Sequence, residues 1–309
     1  MGNFLTSPMT EKDTRVDARA DGSLAFGISA MQGWRTSMED SHVAQLAPED
    51  LFTTVILDVF DERKYYKPTA PTPEQIGDAM KQAFMTLDDE IRSYPEVQNG
   101  SDQSGCTAIV AFVTPTHIIV ANAGDSRSVL AKNAGMIPMS FDHKPMNDGE
   151  RNRIEKAGGM VRGNRVNGDL AVSRALGDFT YKMRDDLLAN QQQVSAEPEI
   201  EIQKINGSEE FLVLACDGIW DVMTNEGICE FVRGLMTNGE KNLGLIAEEI
   251  LDHCLQEGSR DNMSAIVVKF PGAKFGSGEG VEGIRKERKR KQEEAEARGE
   301  TLENDNIGV

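Results

Sequence analysis

Four stretches of this sequence carry carboxylates where they could act together: Ser37-Met38-Glu39-Asp40, Val59-Phe60-Asp61, Ala215-Cys216-Asp217-Gly218 and Arg260-Asp261-Asn262. Each follows an apolar run, as the end of a β-strand would. A strand that stops at an acid leaves a hard oxygen donor at the rim of its sheet, and several such ends converging make a seat for a hard cation such as Mg²⁺ or Mn²⁺. Metal-assisted chemistry is therefore the first expectation. Taken singly, an Asp after a strand is more often a turn or a helix cap, because it bonds its own backbone there, so order and flanking residues have to decide.

The elements that must position these acids are short. Strand signals fall at residues 24–30, 52–60, 107–113, 117–121, 128–131, 211–216 and 264–270, several of them apolar throughout, as strands covered on both faces are. Helical periodicity is clearest at 74–93, where Ile76, Met80, Ala83, Phe84, Leu87 and Ile91 form one stripe behind Pro73. Further helices are expected at 243–256, 147–156 and 225–233. Strands in runs with helices between them predict a layered α+β fold. Residues 1–22 are polar and aperiodic and read as a flexible arm; the segment 273–309 reads as a charged flexible or helical tail, with glycines leading into Arg285-Lys286-Glu287-Arg288-Lys289-Arg290-Lys291.

Composition excludes several partners. The net charge of −18 disfavours nucleic acid, whose phosphates demand clustered Lys and Arg. No run approaches the 18 or so apolar residues of a membrane span, and the start lacks a signal-peptide layout, so a soluble, cytoplasmic, monomeric protein is expected, with the nucleus a further compartment. Cys106, Cys216, Cys229 and Cys254 form no Cys-x-x-Cys pair and read as reduced core residues.

Order and flanks then decide the matter. Met31-Gln32-Gly33-Trp34-Arg35-Thr36-Ser37-Met38-Glu39-Asp40, Ser104-Gly105-Cys106-Thr107-Ala108, Asn122-Ala123-Gly124-Asp125-Ser126-Arg127, Asp142-His143-Lys144-Pro145, Leu170-Ala171-Val172-Ser173-Arg174-Ala175-Leu176-Gly177-Asp178, Cys216-Asp217-Gly218-Ile219-Trp220-Asp221 and Asp261-Asn262-Met263-Ser264 resemble, in this order, the metal-dependent type 2C serine/threonine protein phosphatases. The resemblance spans residues 23–272. It implies a four-layer α-β-β-α sandwich with two central β-sheets flanked by helices and a metal site at one end, and hydrolysis of phosphoserine and phosphothreonine in phosphoproteins. It also implies two Mg²⁺ or Mn²⁺ ions and a third, looser site. On the same resemblance Asp61 bridges the metals and serves catalysis, Asp217 and Asp261 bind one metal, and Glu39 and Asp40 hold the other largely through its waters. Asp125 serves the looser site, Asn262 orients Asp261, Arg35 binds phosphate, and Arg165, in a flap over residues 142–168, contacts substrate. His143 reads as structural, since a lone His in a turn is more often scaffold than catalyst.

The chain departs from the family at one place. The family continues its bridging aspartate as Asp-Gly-His-Gly-Gly followed by a helix; here Asp61 runs into Glu62-Arg63-Lys64-Tyr65-Tyr66. The histidine that would protonate the leaving group has no counterpart, a loss worth about 10²- to 10⁴-fold in rate. The backbone carbonyl of Glu62 is then the expected replacement for the glycine's metal ligand, and Asp58 is an alternative bridging residue to Asp61. A non-catalytic phosphoprotein-binding module and a truncated isoform both fit this departure. Finally, Met1-Gly2-Asn3-Phe4-Leu5-Thr6 fits the N-myristoylation pattern, which on its own gives weak, reversible membrane association.

Overall fold

A computed structural model describes residues 4–46 and 71–298, which divide between two compact units. Asp58, Asp61 and Glu62, the strand expected at 52–60 and the departure after Asp61 lie outside the described residues. The first unit takes in Met1–Leu46, Val129–Pro138 and Gly207–Val309; the second takes in Ala47–Ser128 and Met139–Asn206.

The first unit is built on a sheet whose described strands run in the order Phe4–Ala18, Ala25–Arg35, Met263–Lys269, Glu209–Ala215, Arg127–Lys132, Gly135–Pro138. Phe26 to Met31 are all buried, as are Phe211, Leu212 and Val213, which is why these stretches read as apolar throughout. The helices Asn225–Thr237 and Leu243–Gln256 cover the sheet with Ile228, Val232, Leu235, Ile246, Ile250 and Leu251. Each helix begins where a side chain accepts from its free backbone N–H groups: Thr224 from Gly227, and Asn242 from Gly244 and Leu245.

One expectation for this unit is corrected, and the tail takes the helical of its two expected forms. The arm predicted over residues 1–22 is instead a strand, Phe4–Ala18, paired antiparallel with Ala25–Arg35 in the register Lys12↔Met31, Thr14↔Ser29, Val16↔Gly27. Its inward residues are polar but engaged: Thr14 donates to Glu248 at 3.0 Å, and Lys12 pairs with Asp252 at 2.7 Å. Outward stand Glu11, Asp13, Arg15 and Asp17, charges suited to an edge strand. The tail is helical over Gly280–Ala297, and its first turns belong to the unit, because Val281 is fully buried and Phe275 and Ile284 pack on the core. Arg285 and Arg288 grip the two oxygens of Glu249 at 2.7 Å each, and Glu249 is wholly buried. Much of the basic cluster is therefore neutralised: Arg290 also pairs with Glu287 and Glu294 along its own helix. Among the described residues no helix is long and apolar enough to cross a membrane.

The second unit sets the helix Pro73–Arg92 on a sheet ordered Glu199–Lys204, His117–Ala123, Ala108–Val113. Thr72 and Gln75 close a reciprocal capping box at the helix start, and Ile76 and Phe84 turn into the core. Asp88, buried on the same helix, accepts from Gly177 N–H at 2.8 Å and from Lys182 Nζ at 2.7 Å, tying the Leu176–Tyr181 stretch down.

Replacing Arg285 and Arg288 together by Ala should leave the Glu249 charge buried without a partner and lower stability by about 3–5 kcal/mol. Urea unfolding measures it, and adding Glu249→Gln to the double variant should recover most of the loss; an unchanged midpoint in the double variant would contradict the clamp.

Candidate active site

Three sequence segments meet at one end of the first unit's sheet: the exit of Ala25–Arg35, the entry of Met263–Lys269 and the turn after Glu209–Ala215. Asn262 holds them. Its Nδ2 donates to the carbonyls of Gln32 at 2.9 Å and Ser37 at 3.0 Å, and its Oδ1 accepts from Glu39 N–H at 2.8 Å. All of this happens at a residue only 3% exposed. Gly218 lies so close that a Cβ there would sit 2.1 Å from the Asn262 carbonyl, and a Cβ on Gly33, at φ +65°, would sit 2.6 Å from the Asp261 carbonyl. Only glycine allows either approach.

The functional side chains hang from this frame. Arg35 donates from Nη2 to Asp261 Oδ2 at 2.5 Å, while its buried Nε has no hydrogen-bond partner among the described residues. The bond from Asp261 raises the Arg35 pKa above its usual value against the opposing effect of burial, and the charges of Glu39 and Asp217 add to it. Asp217 opens the short helix Asp217–Trp220. Asp40 accepts from Ser264 Oγ at 2.8 Å. Cys216, beside Asp40, receives Ser264 N–H at 3.2 Å and donates to the Asn262 carbonyl at 3.4 Å. Burial, reinforced by Asp40, pushes its thiol well above the usual range, so it is packing rather than nucleophile.

These residues suit a hard divalent cation in kind, because every available donor is a carboxylate oxygen. In number they are a partial set: among the described residues no three Asp, Glu, His or Cys side chains stand close enough to share one ion.

Of the other expected site residues, the described ones, Asp125 and Arg165, lie in the second unit. Asp125 is 6% exposed and bound by Lys144 Nζ at 2.5 Å. Arg165 is exposed on the short strand Arg165–Val166 and donates to the Asp169 carbonyl. His143 is buried, its Nδ1 accepting from Gly124 N–H at 3.1 Å, the scaffold role expected of it. The segment around Arg165 is anchored by Glu150, which takes bonds from Arg174 at 2.8 and 3.1 Å, Arg153 at 2.7 Å and Ser173 at 2.6 Å. Burial would raise the Glu150 pKa, but Arg174, Arg153 and the Ser173 hydroxyl outweigh it and hold it at about 2.

Sequence reasoning missed Ser264 and Gln32 as supports, and it missed a cavity of about 190 Å³ beside Arg35, lined also by Phe4, Asp221, Val222, Arg260 and Asp261. An apolar residue at position 4 carries no signal of that kind until the edge strand is seen to end opposite Arg35.

A carboxylate-rimmed sheet end with an arginine among the acids suits phosphoryl chemistry, and comparison with known proteins gives the class. The profile of the Protein phosphatase 2C family matches residues 49–263, and the chain is 40% identical over 306 residues to Protein phosphatase 1A of Bos taurus, covering 91% of this chain and 79% of that protein. Protein phosphatase 1B of Mus musculus is 40% identical over 310 residues, with 91% and 78% covered. A solved phosphatase structure from Toxoplasma gondii superposes with a TM-score of 0.65 at 23% identity, covering 85% of this chain and 96% of that one. The chain belongs to the Protein phosphatase 2C family, and it is a serine/threonine protein phosphatase with that family's α+β sandwich fold. Dependence on Mg²⁺ or Mn²⁺ is general to the family.

Two measurements follow. Asn262→Ala should lower stability by about 1–3 kcal/mol, since it takes the side-chain partner from the Gln32 and Ser37 carbonyls and the Glu39 N–H, and should depress phosphatase activity in parallel. Full activity in a folded Asn262→Ala variant would show that the frame is dispensable. Glu150 ionises at about 2 in the folded chain against 4.5 ordinarily. Its stabilisation, about 3 kcal/mol, is complete above the ordinary value and disappears as pH falls through about 2. Glu150→Gln should therefore cost stability at pH 7 and progressively less on acidification in urea titrations, whereas a pH-independent difference would refute the assignment.

Proposed function

We propose that this chain hydrolyses phosphoserine and phosphothreonine in phosphoproteins with two bound Mg²⁺ or Mn²⁺ ions, at a rate lowered by the missing Gly-His-Gly-Gly segment. The observation that carries the reading is Arg35. Asp261 fixes one arm of its guanidinium while the buried Nε has no hydrogen-bond partner among the described residues, an arrangement that a phosphoryl oxygen would complete. Asp61, the carbonyl of Glu62, Asp217 and Asp261 would hold the ions, with Glu39 and Asp40 acting through bound water and Asp125 at a third, looser position. When bound, the ions supply an activated water and neutralise phosphoryl charge. Asn262 keeps Asp261 and Glu39 in place for that purpose. Arg165 is the proposed substrate contact in the flap segment.

A second reading, a phosphoprotein-binding module or truncated isoform with little turnover, is favoured by one observation. No histidine follows Asp61 to protonate the leaving alkoxide. That the 306-residue match uses 91% of this 309-residue chain supports a deletion relative to the active relatives.

Residence in the cytoplasm, with a small, loosely held membrane pool and access to the nucleus, is part of the same proposal. It rests on the Gly2 acylation pattern, and the neutralised tail arginines argue against a strong second anchor.

The test is a phosphopeptide assay with and without Mn²⁺. Turnover should require the metal, fall by at least about 10²-fold in Arg35→Ala, and rise when the Gly-His-Gly-Gly segment and its helix are inserted after Asp61. Turnover that the insertion does not raise would remove the deletion account, and metal-independent turnover would remove the proposed mechanism.

A further inference from the structure

Beside Arg35 stands a second guanidinium that the phosphoryl-transfer reading leaves unused. Arg260 immediately precedes Asp261, the anchor of Arg35, on a stretch with little freedom: Ser259 is buried, donating its hydroxyl to the Gly218 carbonyl at 2.7 Å, and Asn262 N–H closes on Asp261 Oδ1 at 2.8 Å. The Arg260 side chain is exposed and pairs with no carboxylate among the described residues. It is not loose, however. Its guanidinium carbon stands 5.7 Å from the ring centre of Phe4, and Phe4 is set opposite Arg35 by the strand register. Stacking of this kind restricts a long side chain in advance and leaves its donors free. Arg35, Phe4 and Arg260 line the same cavity of about 190 Å³, with Asp261 between the two arginines and Asp221 and Val222 on the rim.

Charge decides what the cavity takes. Asp261 is paired with Arg35, which leaves Arg260 as a cation with no carboxylate partner among the described residues, next to the place where a phosphoryl group would dock. In a chain of net charge −18, such a cation at that spot selects for negative charge arriving alongside the phosphate. An extended peptide advances about 3.3 Å per residue, so a neighbouring side chain reaches Arg260 when it lies within about two residues of the phosphorylated one. We propose that Arg260, held on the face of Phe4, is a specificity-determining residue that receives an acidic side chain flanking the phosphorylated residue of the substrate. The inference rests on Arg35 binding the phosphoryl group. Asp221 on the rim opposes an incoming carboxylate, which keeps the selection modest.

The experiment uses the full chain with Mn²⁺ and a set of phosphothreonine peptides in which Glu, Gln or Lys occupies each of the two positions on either side. At one of these positions kcat/KM should favour Glu over Gln by roughly three- to fivefold at low salt, the scale of one exposed ion pair, and the ratio should shrink as salt is raised. Arg260→Ala should bring the ratio to about one, and Arg260→Glu should turn the preference towards Lys. Phe4→Ala should weaken it part of the way. A wild-type chain indifferent to flanking charge, or a preference that survives Arg260→Glu, overturns the proposal. Turnover of p-nitrophenyl phosphate, which has no flanking residue, is measured alongside. Its absence counts against the phosphatase reading alone, and fluorescence anisotropy of the labelled peptides then decides on Arg260 by the same affinity ratios and the same reversal.

Discussion

Everything at the sheet end depends on the carboxamide of Asn262. A carboxylate there could accept from Glu39 N–H but could not donate to two carbonyls, and an aliphatic residue could do neither. One buried side chain thus sets the path from Gln32 to Glu39 and carries the preceding residue, Asp261, against Arg35. The two close glycines belong to the same constraint, since Gly33 and Gly218 let backbone approach backbone where any side chain would force the segments apart. The geometry of this sheet end is therefore a property of how Ala25–Arg35 ends and Met263–Lys269 begins, and the helices behind contribute by keeping those strands buried.

Several features of this arrangement were legible in the sequence. The apolar runs that became Ala25–Arg35, Glu209–Ala215 and Met263–Lys269 announced strands closed on both faces, and the stripe on Pro73–Arg92 announced its helix, because burial imposes a period that one residue after another must satisfy. Motif order identified Arg35, Glu39, Asp40, Asp217 and Asp261 as neighbours, and the structure shows Arg35 feeling the charges of Glu39, Asp217 and Asp261. Phe4–Ala18 was not legible, because an edge strand that meets a helix through Lys12 and Thr14 has no apolar alternation to read. Glu199–Lys204 escaped for a related reason: Ile200 and Ile202 alternate with Glu199 and Glu201 over too few residues to separate from a loop. The tail's attachment was hidden too, since a run of Lys and Arg looks solvated until its acidic counterpart is found.

That counterpart illustrates how a strongly acidic chain keeps its form. Glu249 and Glu150 are deeply buried carboxylates, one in each unit, and each is served by two arginines. Glu249 takes both its arginines from the tail helix, whereas Glu150 takes Arg153 from its own helix and Arg174 from a later segment, so each acid fixes a distant stretch of chain to the helix that carries it. Buried pairs of this kind are weak contributors to net stability but strong discriminators between correct and incorrect docking, because a misplaced segment leaves an unpaired charge inside.

The state of Cys216 has a consequence for oxidative chemistry. Peroxide attacks thiolate, and a thiol held protonated among Asp40, the Asn262 carbonyl and Ser264 presents very little of it. The cysteine at this end of the sheet is thus kept unreactive by its neighbours, unlike a cysteine nucleophile, which peroxide silences. A response to oxidative stress would then fall to other sulfurs, of which Cys106 on the Gly105–Cys106 strand is the exposed thiol among the described residues and Met160 and Met183 are exposed thioethers.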